Sequence, residues 1–237
     1  MRRAFRPSGP KPGFTRDDAV DAALRIGVGT FTLARVARDL GVGTPALYRT
    51  ISSRDDLLRA CLDRLAAQID LGDLTGAWPQ VLRTCADRLW ALLEDNPGLA
   101  QTLLTVPWAH QSFTPAVCAA LRSLESGGLD RTAALLALDF VGDTVISTHA
   151  QIEVMRSPVA SSGQGGPTGL EETSRFAAAA GNPPLPEALT PNESWLERGG
   201  LDRKIEIIIR GVAVGLPPSA TDTGGQSASG GDVSGRR

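Results

Sequence analysis

The stretch that most limits how this chain folds is Phe31 to Leu58, FTLARVARDLGVGTPALYRTISSRDDLL. Two short apolar-periodic segments are joined there by Gly41-Val42-Gly43 alone. Thr32 is read as the cap of the first, with Leu33, Val36, Ala37 and Leu40 as its inner stripe and Gly41 as the left-handed residue that ends it. Thr44 is placed as the cap of the next helix, with Pro45 in the first turn, where a missing N–H costs nothing. Leu47 and Ile51 point inward. Ser53 caps a further helix, and Asp56 three residues on predicts a capping box. Upstream, Thr15 and Asp18 predict another box, opening a helix whose face is Ala19, Ala22, Ala23 and Ile26 and which Gly27 ends. Helix, tight glycine turn and short helix have the spacing of a helix-turn-helix.

A helix as short as the one after Gly43 is unstable alone, so packing through Leu47 and Ile51 must hold it. That leaves Thr44, Ala46, Arg49 and Thr50 on its outer side, with Tyr48, the only tyrosine in the chain, beside them. Such a side suits a major groove: Arg49 would bind guanine in bidentate fashion and Tyr48 would donate to a phosphate. The alternative is that Tyr48 caps a small core and Arg49 is a solvated charge. Thr32, Arg35 and Arg54 lie near helix starts, which attract phosphates; an ordinary N-cap and solvated arginines are the alternative. Charge points the same way. Residues 1–60 hold eleven Lys and Arg against six Asp and Glu, net +5, whereas residues 61–237 are net −7. A basic head on an acidic body suggests a polyanion partner at one end.

The remainder reads as helices. Ala and Leu dominate, aromatics are 5% of the chain, and β-branched runs are rare, so the fold class is all-α. Residues 1–13 are expected to be a disordered basic arm, in which Arg2, Arg3, Arg6 and Lys11 track DNA or merely float. The helix after Ser53 should run over 54–70. The segment from Trp78 to Asn96-Pro97 is amphipathic, with Val81, Cys85, Leu89 and Leu92 or Leu93 inward, and a short helix ends at Pro107. Residues 115–126 form another helix. Residues 131–155 are apolar nearly all round at first, so burial on more than one side is expected. A loop over 157–169, a short helix near 171–180, a Pro-rich segment, a last helix over 201–216 and a disordered tail over 217–237 follow.

The motifs carry a resemblance. Thr32, the Ala37-x-x-Leu40-Gly41-Val42 turn, the Leu47-Tyr48 pair and the Arg54-x-x-Leu57-Leu58 start resemble the DNA-binding domain of the tetracycline-repressor (TetR) family across residues 14–63. Ile51 stands where many members carry Phe, and Arg35 where many carry an acid. Pro45 and the aliphatic residue at 51 look closer to the tetracycline repressor's own subgroup. A looser likeness to that subgroup's C-terminal domain covers residues 64–216. The resemblance implies a helix-turn-helix domain, a larger helical ligand-binding and dimerisation domain, and a homodimer on a palindromic operator. The 131–155 and 201–216 helices are the best candidates for a four-helix interface. It also implies a small-molecule pocket, for which Trp90, Gln101, Leu104, Trp108, His110, Phe113, Phe140, Asp143, Ser147 and Gln151 are the candidates, each with core packing as the alternative.

The tetracycline repressor holds its drug with magnesium, but the matching carboxylate position falls on Gln151, so neither a metal nor another cofactor is expected, nor tetracycline. His149 is read as a satisfied or exposed histidine. Cys61, Cys85 and Cys118 lack metal-ligand spacing and read as reduced hydrophobes. There is no GxSxG, Walker loop or HExxH, so no enzyme is expected. Without a signal peptide or an uncharged apolar span, the chain is expected in the cytoplasm, away from membranes. The expectation is a ligand-responsive transcriptional repressor. The alternative is a helical small-molecule sensor that does not read DNA sequence.

Overall fold

The computed structural model describes residues 13–69, 74–159, 165–179 and 190–215. Among these residues the regular structure is α-helical with short 3-10 turns and no strand beyond one isolated bridge. Residues 1–12 of the expected arm, the tail over 217–237 and most of the Pro-rich segment lie outside the described residues.

Four helices make the head: α1 (Arg16–Ile26), α2 (Leu33–Asp39), α3 (Thr44–Leu47) and α4 (Arg54–Ala66). The α1 box forms as predicted, with Thr15 Oγ accepting from the Asp18 amide and Asp18 accepting from the Thr15 amide. Thr32 Oγ caps α2 by accepting from the Arg35 amide at 3.2 Å. Gly41 has φ 67°, a left-handed conformation open to glycine at little cost, and it lets the Val42 amide bond back to Ala37 O at 2.9 Å.

Three local expectations change. Gly43, in extended conformation, is the cap of α3, and Thr44 is already helical and makes no side-chain cap. The α3 helix is four residues long; beyond it the chain tightens, with the Arg49 and Thr50 amides bonding three residues back. This tighter turn delivers Ile51 into the core behind Leu47, and both are fully buried. The α4 box is one-sided: Ser53 Oγ accepts from the Asp56 amide, while the Asp56 carboxylate accepts from Ser52 and from Arg16. Arg16 takes that carboxylate with both terminal nitrogens, at 2.5 and 3.2 Å, and also donates to Thr50 O. It therefore staples α1 to the end of the α3 turn, and it holds the Asp56 carboxyl well below the usual carboxylate range. Helix α4 ends at Ala66, not residue 70.

The body contains α5 (Trp78–Asp95), α6 (Leu99–Thr105), a 3-10 segment (Ala109–Phe113), α7 (Thr114–Ser126), α8 (Arg131–Arg156), α9 (Gly169–Ala179) and α10 (Gly199–Val214). Helix α8 is its axis, packed by α5, α6, α7 and α10. Ala134, Ala137, Val141, Val145 and Ile152 of α8 meet Val81, Leu82 and Leu93 of α5, with Leu124 of α7 and Ile205 and Ile209 of α10 completing the core. The first half of α8 is buried along one side only. Leu135, Leu136 and Phe140 lie open there, against the expectation of burial on more than one side, because none of the described elements covers them. The loop expected over 157–169 has pinned ends, since the Val159 amide donates to Pro167 O and the Gly169 amide to Ser157 O; residues 160–164 are outside the described set. Cys61 and Cys85 are buried, and burial pushes their thiols up to about 12 and about 11, far from reactive thiolate; Cys118 is exposed.

Candidate nucleic-acid interface and effector region

The head has eight arginines between Arg16 and Arg64, and most are occupied. Arg16 pairs with Asp56, Arg25 with Asp39, and Arg64 with Asp17 and Asp21. Arg54 donates from Nε to Phe31 O at 3.3 Å and lies over the Phe31 ring. Arg59 stacks on Trp108, 4.6 Å from the ring centroid. The side chains of Arg35, Arg38 and Arg49 have no ion pair, hydrogen bond or ring contact with any described residue, and all three are exposed. Arg35 and Arg38 share the outer side of α2, opposite buried Val36 and Ala37, and Arg49 follows α3. The uncommitted positive charge of the head is thus concentrated on its helix-turn-helix.

Around these cations stand Pro45 and Tyr48, both exposed, and Thr44, Ala46 and Thr50, half-buried. Tyr48 is 55% exposed, so it caps no core. Thr32 spends its hydroxyl on the α2 amide, and Arg54 keeps outward donors while bracing the α1–α2 loop. Sequence reasoning overlooked Arg38. Its signal was the three-residue step from Arg35, which puts both on one helical side.

The predicted effector residues do not converge. Trp90 and Phe113 are buried, and Ser147 is half-buried. Trp108 is half-buried under Arg59 of α4, at the junction of head and body, not inside the body. Gln101, Leu104, His110, Phe140, Asp143 and Gln151 are exposed. On α8 the reason is register: Phe140, Asp143 and Gln151 share the open side with Leu136, opposite the side that carries Val141, Val145 and Ile152. Among the described residues, one cavity of about 410 Å³ lies between Leu74–Gly76 and α7, and another of about 150 Å³ lies between α5 and α10. No predicted effector residue lines either. The smaller is crossed by the Arg83–Glu206 pair and by Arg198 bonded to Asp87 and Asp202. Among the described residues, no three His, Cys, Asp or Glu gather in a way that would hold a metal ion.

The body interior instead offers a residue not chosen from sequence. His149 is 2% exposed and neither ring nitrogen has a hydrogen-bond partner, which corrects the reading of a satisfied or exposed histidine. Its ring meets Trp90 edge-on, centroids 5.0 Å apart. Glu94 Oε1 stands 3.4 Å from Nε2 and Glu153 Oε2 3.8 Å from Nδ1. Burial pulls the His149 pKa below its ordinary 6.5, outweighing the pull of the Glu153 and Glu94 carboxylates, with Arg156 adding to the depression. A depressed histidine binds its proton more readily in the unfolded chain. Its contribution to stability is therefore complete above the ordinary histidine value and is lost as pH falls through it. Denaturant midpoints measured at about pH 7.5 and 5.5 should fall on acidification, and His149→Phe should flatten that fall.

No protein-family model matches the chain. It is 40% identical over 105 residues to the HTH-type transcriptional repressor DrrR1 of Streptomyces coeruleorubidus, a stretch covering 40% of this chain and 38% of the repressor's length. A possible TetR family transcriptional regulator from Streptomyces coelicolor A3(2) superposes with a TM-score of 0.63 at 24% identity, over 84% of this chain and 98% of that one. The fold is that of the TetR-family regulators. The Streptomyces coelicolor TetR family protein ActR, solved in complex with actinorhodin, gives a TM-score of 0.59 at 20% identity over 93% and 100% of the two chains. In TetR-type terms, the three free arginines lie on the helix-turn-helix, and the buried Trp90–His149 contact lies in the C-terminal helical body. None of the described TetR-type helices is long and apolar enough to cross a membrane.

Proposed function

We propose that this chain is a TetR-family transcriptional repressor that binds a palindromic operator as a homodimer and is released by a small molecule in the cytoplasm. The observation that carries the reading is the segregation of the head's uncommitted arginines, Arg35, Arg38 and Arg49, onto the helix-turn-helix. Charge left unpaired on one side of a small domain favours a polyanion there, and release of condensed counterions supplies the affinity. Arg49 beside Thr44 and Thr50 has the donors to read base edges; Arg35, Arg38, Arg54 and the Tyr48 hydroxyl suit phosphates.

Dimerisation is supported by the open apolar side of α8, with Leu135, Leu136 and Phe140, and by Ile207 and Val214 on α10. Helices α8 and α10 pack against each other, so a two-fold mate would bury both. The effector is a small molecule entering the body beside Trp90 and His149, and it favours a state in which the heads no longer match the half-sites. The relationship to a repressor and the actinorhodin complex of ActR support this assignment. Selection of bound duplexes from a random pool with the purified full-length protein tests it. A two-fold symmetric consensus is the expected result. Salt-sensitive binding without sequence preference would instead favour a helical small-molecule sensor.

A further inference from the structure

Head and body meet where α4 packs on the 3-10 segment and, apart from that, at two glycines. Gly29 lies in the α1–α2 loop, and Gly98, with φ 84°, opens α6. A Cβ on Gly29 would stand 3.1 Å from Gly98 O, and one on Gly98 would stand 3.4 Å from the Gly29 backbone. The two main chains are therefore in direct contact, with no side chain between them to absorb a shift. Gly98 is tied to α8 by one bond, its amide donating to Glu153 Oε1 at 2.7 Å, while its carbonyl accepts from the Thr102 amide and hydroxyl within α6. Glu153 belongs to α8, and its other oxygen borders His149 in the body interior. One carboxylate thus touches both the wall of the interior and the corner on which the head rests.

We infer that Glu153 is a positioning residue: it holds Gly98 against Gly29 and so sets the seat of the head on the body. An event in the interior that withdraws the carboxylate, such as a ligand donor arriving beside His149, loosens this corner of the seat by removing the bond that ties it to α8. The regulatory side of this inference rests on the repressor reading above; the mechanical side does not.

Amide hydrogen exchange on the full-length protein separates the two. In Glu153→Ala, peptides covering Gly98–Leu103 and residues 27–32 should exchange about tenfold faster, while the middles of α5 and α8 keep wild-type protection. Glu153→Gln retains a carbonyl acceptor and should restore both regions. Gly29→Ala wedges the contact from the other side and should loosen residues 27–32 with Glu153 intact. Faster exchange at Gly98 with residues 27–32 unchanged would overturn the inference, and so would a uniform rise that includes the α5 and α8 cores. On the selected duplex, Glu153→Ala should change affinity at least fivefold and Glu153→Gln should not; equal affinities would end the regulatory part. If no duplex is selected, the repressor reading fails and the exchange result still decides the mechanical part.

Discussion

Replacing Phe140 and Ile207 together by arginine should leave a helical, cooperatively folding chain that sediments as a monomer and binds its operator at least about 100-fold more weakly. Phe140 is 60% and Ile207 70% exposed in the single chain, so neither supports its core. Folding of the chain should survive the change. Association should not, because two-fold symmetry counts each position twice. Each large apolar side chain buried at an interface contributes about 1.5–3 kcal/mol. An arginine in its place brings an unpaired charge that has to be desolvated. In the proposed homodimer, losing the mate removes the second half-site interaction, which would be effectively intramolecular. Sedimentation velocity reads the first part and fluorescence anisotropy with the selected duplex the second. A variant that remains dimeric would show that these sides of α8 and α10 are not the interface.

The Arg49→Ala variant should lose about 1–3 kcal/mol of operator affinity, roughly 5- to 150-fold, and should relax discrimination at one base position per half-site. Arg49 is exposed and makes no ion pair, hydrogen bond or ring contact with any described residue, so truncation should cost the fold little. It sits directly after α3, on the end that Arg16 and the Leu47–Ile51 pair hold in place. Arg38→Ala is the contrast. With one fewer cation from α2 on the phosphates, binding to all sequences should weaken alike and the salt dependence should fall by about one ion. Mutant thermal melts should match the wild type in both cases. If Arg49→Ala kept full affinity and full sequence preference, the groove-reading role would be gone.

The head was legible because its signals are local. Capping residues, the left-handed glycine and two inward aliphatics each act within a few residues, so Thr15, Thr32, Gly41, Leu47 and Ile51 stand where the sequence puts them. What changed there came mainly from a partner 40 residues away in sequence. Asp56 leaves its own helix cap for Ser52 and Arg16, because a guanidinium offers two charge-assisted bonds where Ser53 offers one amide. The body was less legible for a different reason. Helix α8 has two apolar sides, and periodicity cannot tell which one faces this chain's core and which one is left open. Choosing Phe140, Asp143 and Gln151 for a pocket selected the open side. His149 was read as satisfied or exposed because a lone histidine carries no sequence signal of its burial; Trp90 and Glu94, which enclose it, come from α5, and Glu153 alone is its neighbour along α8.

The stack of Arg59 on Trp108 gives the molecule a built-in optical gauge. Indole emission responds to a cation held against its face, and this cation rides on the helix that joins the head to the body. A swing of α4 large enough to part the pair would shift the fluorescence of the unlabelled protein. Compounds could then be screened for an effect on the head–body junction without labelling the protein.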